Sequence, residues 1–485
     1  MAAPPLTIRN LTPTPLELKK VEHYEAPQPS HGGGIANVAN ITKSFQTLLS
    51  NQTQPTEAQI AENMQSFSSE DVSVRTEPFQ TSKTDLKAIE RPNEVLRFTF
   101  ETDGERYRLD VPSLNNRSTA LVPLTPNPRH AYTAIFLPHK SHLTIFSATS
   151  LSSWMQELKD ETPLSAISIP GTHNSPTHHR ALPSVRCQVA SIRDQLENGV
   201  RFFDIRVQPE NPEDLSKDGL ILVHGVFPVS LSGNKYLRDI VNEVFAFLDA
   251  HPSETLIMSL KREGPGTHTD AQLGRILRDH YAGDVNYWFT APRIPTLGEA
   301  RHKIVLIRRF SLEEGLKNEW EGAGWCIDAE SWAYNTPNDL CRSGDICVQD
   351  FCEVLETENI DKKIEYSTEH LKRASAAKAF LKDEANIQLE GNEPPPKQPF
   401  YVNFLSASNF WKVGCWPDKI AEKLNPAIVD FLCCKHNELE GIEGQTVGDG
   451  GTGIVVCDWV GKDGDWDLVR AIVGMNSKLQ LREHH

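Results

Sequence analysis

From about residue 151 onward the chain repeats one pattern: a short apolar run, a polar loop, then an amphipathic stretch. The apolar runs fall at 166–169, 202–207, 220–224, 255–261, 303–310, 346–351, 401–406 and 453–459, eight in all. The intervening helical periodicity is clearest at 236–250, where Leu237, Ile240, Val241, Val244, Phe245 and Leu248 share one face, and at 191–197. Continuous apolar strands alternating with amphipathic helices demand a parallel sheet covered on its outside. Eight such strands over some 330 residues predict an α/β fold, an irregular TIM-like (β/α) barrel, spanning 148–485. Residues 315–342 and 390–399, the latter with Pro394-Pro395-Pro396, read as loop insertions.

Residues 1–147 follow a different rule. Short alternating runs at 6–10, 16–21, 96–100, 107–111, 131–137 and 143–146 predict strands, and Asp103-Gly104 is a type I′ hairpin signal. The expectation is an N-terminal β-sandwich domain interrupted by a long, partly mobile insertion at 25–90, with one amphipathic helix at 41–49. A net charge of −16 opposes nucleic-acid binding, which needs clustered Lys and Arg. No apolar run reaches the roughly 18 residues of a membrane span, and the first ten residues lack the pattern of a secretory signal. A cytoplasmic or peripheral-membrane location is the expectation. Nine cysteines without a CxxC pair predict reduced structural thiols, with a Cys326–Cys341 bridge as the chief exception.

In such a barrel the functional groups sit at the C-terminal ends of the strands. Those ends carry His173 and Asn174, Asp204 and Arg206, His224, Lys261 with Glu263, Arg309, Asp350, Asn403 and Ser406, and Asp458. Taken singly, each is ordinarily a structural hydrogen-bonding group, a salt-bridge partner or a helix cap. Together they form a cluster of desolvated charge too expensive to keep without mutual pairing or a ligand. The set predicts a catalytic or tight polar-ligand site.

The runs Ile169-Pro170-Gly171-Thr172-His173-Asn174-Ser175, Gly199-Val200-Arg201-Phe202-Phe203-Asp204-Ile205-Arg206, His224-Gly225, His251-Pro252-Ser253-Glu254-Thr255 and Ser259-Leu260-Lys261 resemble, in order and spacing, the X-region of phosphatidylinositol-specific phospholipases C. Later segments, such as Val348-Gln349-Asp350 and Val456-Cys457-Asp458, resemble the bacterial single-domain members. The resemblance implies cleavage of an inositol phospholipid to diacylglycerol and a cyclic inositol phosphate, at a transiently engaged membrane surface and with no cofactor or metal. It makes His173 the general base, Asp458 its orienting carboxylate, Arg206 the phosphoryl clamp and His224 the general acid. Asp204 helps fix the site, and Lys261, Arg309 and Asp350 bind the head group. Two positions depart from the family pattern: Asn174 stands where an Asp is usual, and Cys352 where bacterial members place a Tyr. Alternatives on the same scaffold are a catalytically weakened lipid-binding protein and a phosphodiesterase for glycerophosphodiesters or sphingolipids. Phe410, Trp411 and Trp416 follow the seventh strand on the catalytic side, as core or as a lipid-touching rim.

Overall fold

A computed structural model describes residues 4–25, 60, 64–87, 94–112, 117–377, 398–436 and 450–480. The expected helix at 41–49 and the Pro-rich 394–396 stretch lie outside these residues. The chain divides into two compact units, Met1–Ser150 and Leu151–His485.

In the first unit two five-stranded sheets share one apolar cluster. One sheet runs Thr81–Lys87, Pro5–Leu11, His142–Ser147, Tyr132–Leu137, Ser118–Ala120; the other runs Ser68–Thr76, Leu16–Glu25, Glu94–Thr102, Glu105–Val111, Val122–Pro123. Leu6 and Ile8 of the first sheet meet Leu18, Phe98 and Leu109 of the second because alternate residues of each strand point inward. Asp103 and Gly104 form a two-residue turn with φ of 47° and 79°, the left-handed pair that a type I′ hairpin requires. The reading of 25–90 as one insertion needs correction: Ser68–Thr76 and Thr81–Lys87 are strands, polar in sequence because most of their side chains are not buried.

The second unit is built on β1 (Ile169–Thr172), β2 (Phe202–Pro209), β3 (Leu220–His224), β4 (Leu256–Arg262), β5 (Ile304–Arg308), β6 (Ile346–Gln349), β7 (Phe400–Phe404) and β8 (Ile454–Cys457). Seven of them form one curled parallel sheet in the order β5-β4-β2-β1-β8-β7-β6, the sheet of a TIM-like barrel. Helices Leu237–Ala250, Asp270–His280, Asn359–Ala376, Pro417–Cys434 and Asp467–Gly474 accompany the sheet.

Two expectations are corrected. β3 is antiparallel to β2, pairing Leu222 with Val207 and Leu220 with Pro209, so it is a hairpin arm and not a barrel strand. The barrel is also open along one seam: the short strands Ile327–Asp328 and Asp339–Leu340 flank β5 and β6, and among the described residues no ladder joins them. The first strand begins at Ile169, since 164–166 is a single 3-10 turn.

Strand parity builds the mouth of the barrel. In β2, Phe203, Ile205 and Val207 pack outward with the helices, while Phe202 joins the inner cluster, leaving Asp204 and Arg206 on the same inner parity higher up. The same rule holds elsewhere. Val305 and Ile307 lead to Arg309, Ile346 and Val348 to Asp350, Val456 to Asp458, and Ile169 through Gly171 to His173. Gly171 is small because a Cβ there would stand 2.9 Å from the Phe202 ring that fills the interior. Among the described residues no helix is long and apolar enough to cross a membrane. All nine cysteines are free, so Cys326 and Cys341 are not bridged.

Candidate active site

A cavity of about 570 Å³ opens at this mouth, and His173, Arg206, His224, Lys261, Arg309 and Asp350 line it. His173 follows β1 where the chain folds over the end of β2: Ser175 N–H donates to the Asp204 carbonyl, and Ser175 Oγ accepts from Asp204 N–H. Gln188 ties the turn down, donating to the carbonyls of His173 and Cys457 at 2.7 and 2.9 Å. His173 Nδ1 lies 2.9 Å from Asp458 Oδ1, which leaves Nε2 facing the site. Burial, then the Arg206 guanidinium and His224, push the His173 imidazole well below its ordinary value, so it rests neutral. Burial raises the Asp458 carboxyl in turn, against the pull of Arg206.

His224 reaches the same mouth by the hairpin. β2 extends past the barrel to Pro209, and β3 returns alongside it, carrying His224 two residues beyond the Leu222–Val207 pair to the level of Ile205, next to Arg206. Its ring stands edge-on to His173, with centroids 5.6 Å apart and planes at 85°. Nδ1 lies 2.9 Å from the Val185 carbonyl, so an Nδ1–H is held there and Nε2 is the nitrogen free for chemistry. Burial and the Arg206 charge lower the pKa of His224, and the Val185 carbonyl partly offsets them.

Arg206 is held on both sides, 3.1 Å from Asp204 Oδ2 and 3.2 Å from Glu263 Oε1. Asp204 is fully buried; burial alone would raise its carboxyl, but Arg206 and Arg309 outweigh it and hold it below the usual range. Arg309 donates to Asp204 Oδ1 at 3.3 Å and lies 3.8 Å from the centroid of the Trp332 ring, whose Nε1–H donates to Asp350. Burial raises Asp350, with Arg309 opposing. Lys261 pairs with Glu263 at 2.8 Å. Arg308 and Arg262, of the opposite parity, point away and pair with Asp328 and Glu330, and with Asp270.

The cavity thus gathers His173, His224, Arg206, Lys261, Arg309 and Asp350, with Asp204 and Asp458 behind them. Asn174 is not brought to it. Its backbone N–H donates to Asp204, its φ is 41°, and its buried side-chain amide makes no hydrogen bond among the described residues. Glu263 was named at its strand end from sequence but given no role there, and Trp332, Tyr334 and Val185 were not singled out at all. Glu263 joins Arg206, Lys261 and the Gly225 N–H, where Glu263 accepts at 2.8 Å. Its parity with Lys261 was the available signal. Trp332 and Tyr334 line the cavity from 315–342, a stretch that reads as mere insertion because it has no periodicity. Val185 acts through its backbone, which leaves no side-chain signature.

Two imidazoles and a guanidinium thus face one cavity, and the comparisons point to a particular family. Residues 161–310 match the model of the phosphatidylinositol-specific phospholipase C X domain. A 1-phosphatidylinositol phosphodiesterase of Staphylococcus aureus (strain Newman) is 27% identical over 354 residues, covering 70% of this chain and 98% of that protein. One from Listeria monocytogenes is 31% identical over 200 residues, covering 36% of this chain and 58% of its own. The crystal structure of a phosphatidylinositol-specific phospholipase C from Staphylococcus aureus is similar at a TM-score of 0.51 and 25% identity, over 67% of this chain and 97% of that one. Residues 161–310 thus carry the X domain of the phosphatidylinositol-specific phospholipase C family.

Proposed function

We propose that this chain cleaves phosphatidylinositol, or a closely related inositol phospholipid, to diacylglycerol and a cyclic inositol phosphate. The observation that carries the reading is the edge-on pair His173 and His224, 5.6 Å apart, with Arg206 lining the same cavity. Neutral His173 takes the proton of the inositol 2-hydroxyl at Nε2, while Asp458 holds its other nitrogen and supports the imidazolium that forms. The 2-oxygen attacks phosphorus within the same molecule. Arg206, fixed by Asp204 and Glu263, meets the charge developing on the non-bridging oxygens without reorganising. Protonated His224 delivers its Nε2 proton to the departing diacylglycerol oxygen. Lys261, Arg309 and Asp350 hold the inositol hydroxyls or the phosphate, with Trp332 as a wall. No step in this scheme calls on a metal ion.

Residues 1–147 are read as a β-sandwich domain preceding the barrel at 148–485. Trp411 is 89% exposed on the cavity's rim beside Phe410 and Leu355, which suits it to touch the lipid surface during the reaction. Cys352 in the cavity lining, where a ring is usual, favours a head group held differently from that of the bacterial enzymes. Phosphorus NMR of phosphatidylinositol incubated with the protein tests the whole scheme. A five-membered cyclic phosphodiester is the expected product, and release of a linear phosphate monoester as the first product, or no turnover, refutes it.

A further inference from the structure

Beside the two histidines lies a thiol that the phosphodiester scheme does not use. Cys187 is wholly buried, with Sγ 3.4 Å from the Val185 carbonyl and 3.7 Å from His224 Nδ1. One ring nitrogen of His173, one of His224 and this sulfur all lie within 4.8 Å of one another. Two imidazoles and a thiol are donors for soft and borderline cations such as Zn²⁺, whereas Ca²⁺ and Mg²⁺ require oxygen. His173 Nδ1 rests on Asp458, and with Nε2 as the ligand this is the carboxylate–imidazole arrangement that orients a histidine toward a metal.

We propose that His173, Cys187 and His224 form a binding site for a zinc-class divalent cation, which engages both catalytic histidines and so shuts the enzyme off. In a tetrahedral site with bonds of about 2.0–2.3 Å the ligand atoms stand roughly 3.5 Å apart, so the trio must close by about an ångström. Rotation of the His224 side chain, carried on a hairpin arm outside the barrel ladder, supplies that movement. Each imidazole contributes a lone pair, and His224, whose Nδ1 is the nitrogen beside Cys187, does so by moving its proton to Nε2 and giving up the Val185 carbonyl. The thiol releases its proton to solvent and binds as thiolate, so one proton leaves per cation and nothing is oxidised or reduced. The fourth position faces the cavity that both histidines line, open to water or to a phosphate oxygen. The repulsion Arg206 exerts on the ion is offset in part by Asp204 and Glu263, which pair with it. Burial raises the Cys187 thiol well above its ordinary value, so without a metal the sulfur stays protonated and unreactive.

The inhibition rests on the proposed roles of His173 and His224, but the binding does not. The purified full-length protein, titrated with Co²⁺, is expected to develop the visible bands of a tetrahedral site and a thiolate-to-cobalt charge-transfer band. Both should saturate at one equivalent, be abolished by Zn²⁺ and persist in excess Ca²⁺. Cys187→Ser and Cys187→Ala should each remove the charge-transfer band, while Cys352→Ser should keep it. Zn²⁺ should inhibit lipid cleavage, and Cys187→Ser should weaken that inhibition about tenfold or more while leaving uninhibited turnover nearly intact. Absence of the charge-transfer band from the unmodified protein, or equal zinc inhibition with and without Cys187, overturns the proposal. A thiolate–cobalt band in a protein that cleaves no inositol lipid would uphold the site and refute the phospholipase reading alone.

Discussion

His224 meets a backbone carbonyl, that of Val185, where an adjacent carboxylate would hold an imidazolium more firmly. That choice sets the pH behaviour of the reaction. In the proposed scheme the base His173 must be neutral and the acid His224 protonated, and burial beside Arg206 lowers both pKa values below the ordinary 6.5. Activity limited by the free enzyme therefore rises with pH through the His173 value and falls through the His224 value, both on the acid side of 6.5. A pH profile of kcat/KM on a soluble substrate should peak below pH 6.5 and decline toward pH 8. Asn174→Asp places a carboxylate beside the site and should move the basic limb upward; an unmoved limb would show that Val185 already provides what His224 needs. His173→Ala and His224→Ala should each lower turnover by about two to four orders of magnitude with little change in substrate binding, measured by single-turnover kinetics and equilibrium binding. His173 was legible because it ends an apolar run on the inner parity; His224 also ends an apolar run, but on a hairpin arm whose Leu220 and Leu222 pack with the outer cluster. Glu263 obeyed the inner parity and was named with Lys261 but given no role, and the Val185 carbonyl could not be read from any side chain.

The loop after β7 separates two tryptophans that sequence alone treated as a pair. Trp411 is almost wholly exposed, while Trp416 is half-buried, donates to the Phe410 carbonyl and stands at the entrance of helix Pro417–Cys434. Phe410 is itself stacked on Phe227, 5.4 Å away and nearly parallel. Trp411→Ala should weaken cleavage of phosphatidylinositol vesicles and spare a short-chain soluble substrate. Trp416→Ala should depress both, since it loosens the loop rather than the membrane contact, and paired assays on the two substrates separate the cases. Most barrel strands were readable from their Val, Ile and Leu runs. β3 misled, because an antiparallel arm and a parallel strand share the same apolar run, and only the pairing of Leu222 with Val207 distinguishes them. Ser68–Thr76 and Thr81–Lys87 were missed for the opposite reason, their largely unburied faces leaving only Val72 and Val74 in one strand and Leu86 in the other as an apolar signal.

In the proposed scheme the positive charge that meets the phosphate comes from Arg206, and the acids around it are committed to cations: Asp204 to Arg206 and Arg309, Glu263 to Arg206 and Lys261. The Arg206 side holds Glu263 down to about 2, despite burial that would raise it, so this carboxylate stays ionised and paired at any working pH. Turnover should therefore be unchanged in EDTA or EGTA, whereas Arg206→Ala should lose about 3–4 kcal/mol of transition-state stabilisation, read as a fall in kcat of two to three orders. Calcium-restored activity after chelation would reverse that assignment. The open seam between β5 and β6 has a wider consequence. His173, Arg206 and Asp458 project from neighbouring strands bound by an unbroken ladder, while Arg309, Trp332 and Asp350 stand on the two banks of the seam. In the proposed scheme the base, its carboxylate and the phosphoryl clamp thus sit mid-sheet, while three of the groups lining the head-group side stand at the two ends of the same sheet. Descendants of this scaffold are free to explore new lipids by remodelling the banks, without re-aligning the groups that do the chemistry.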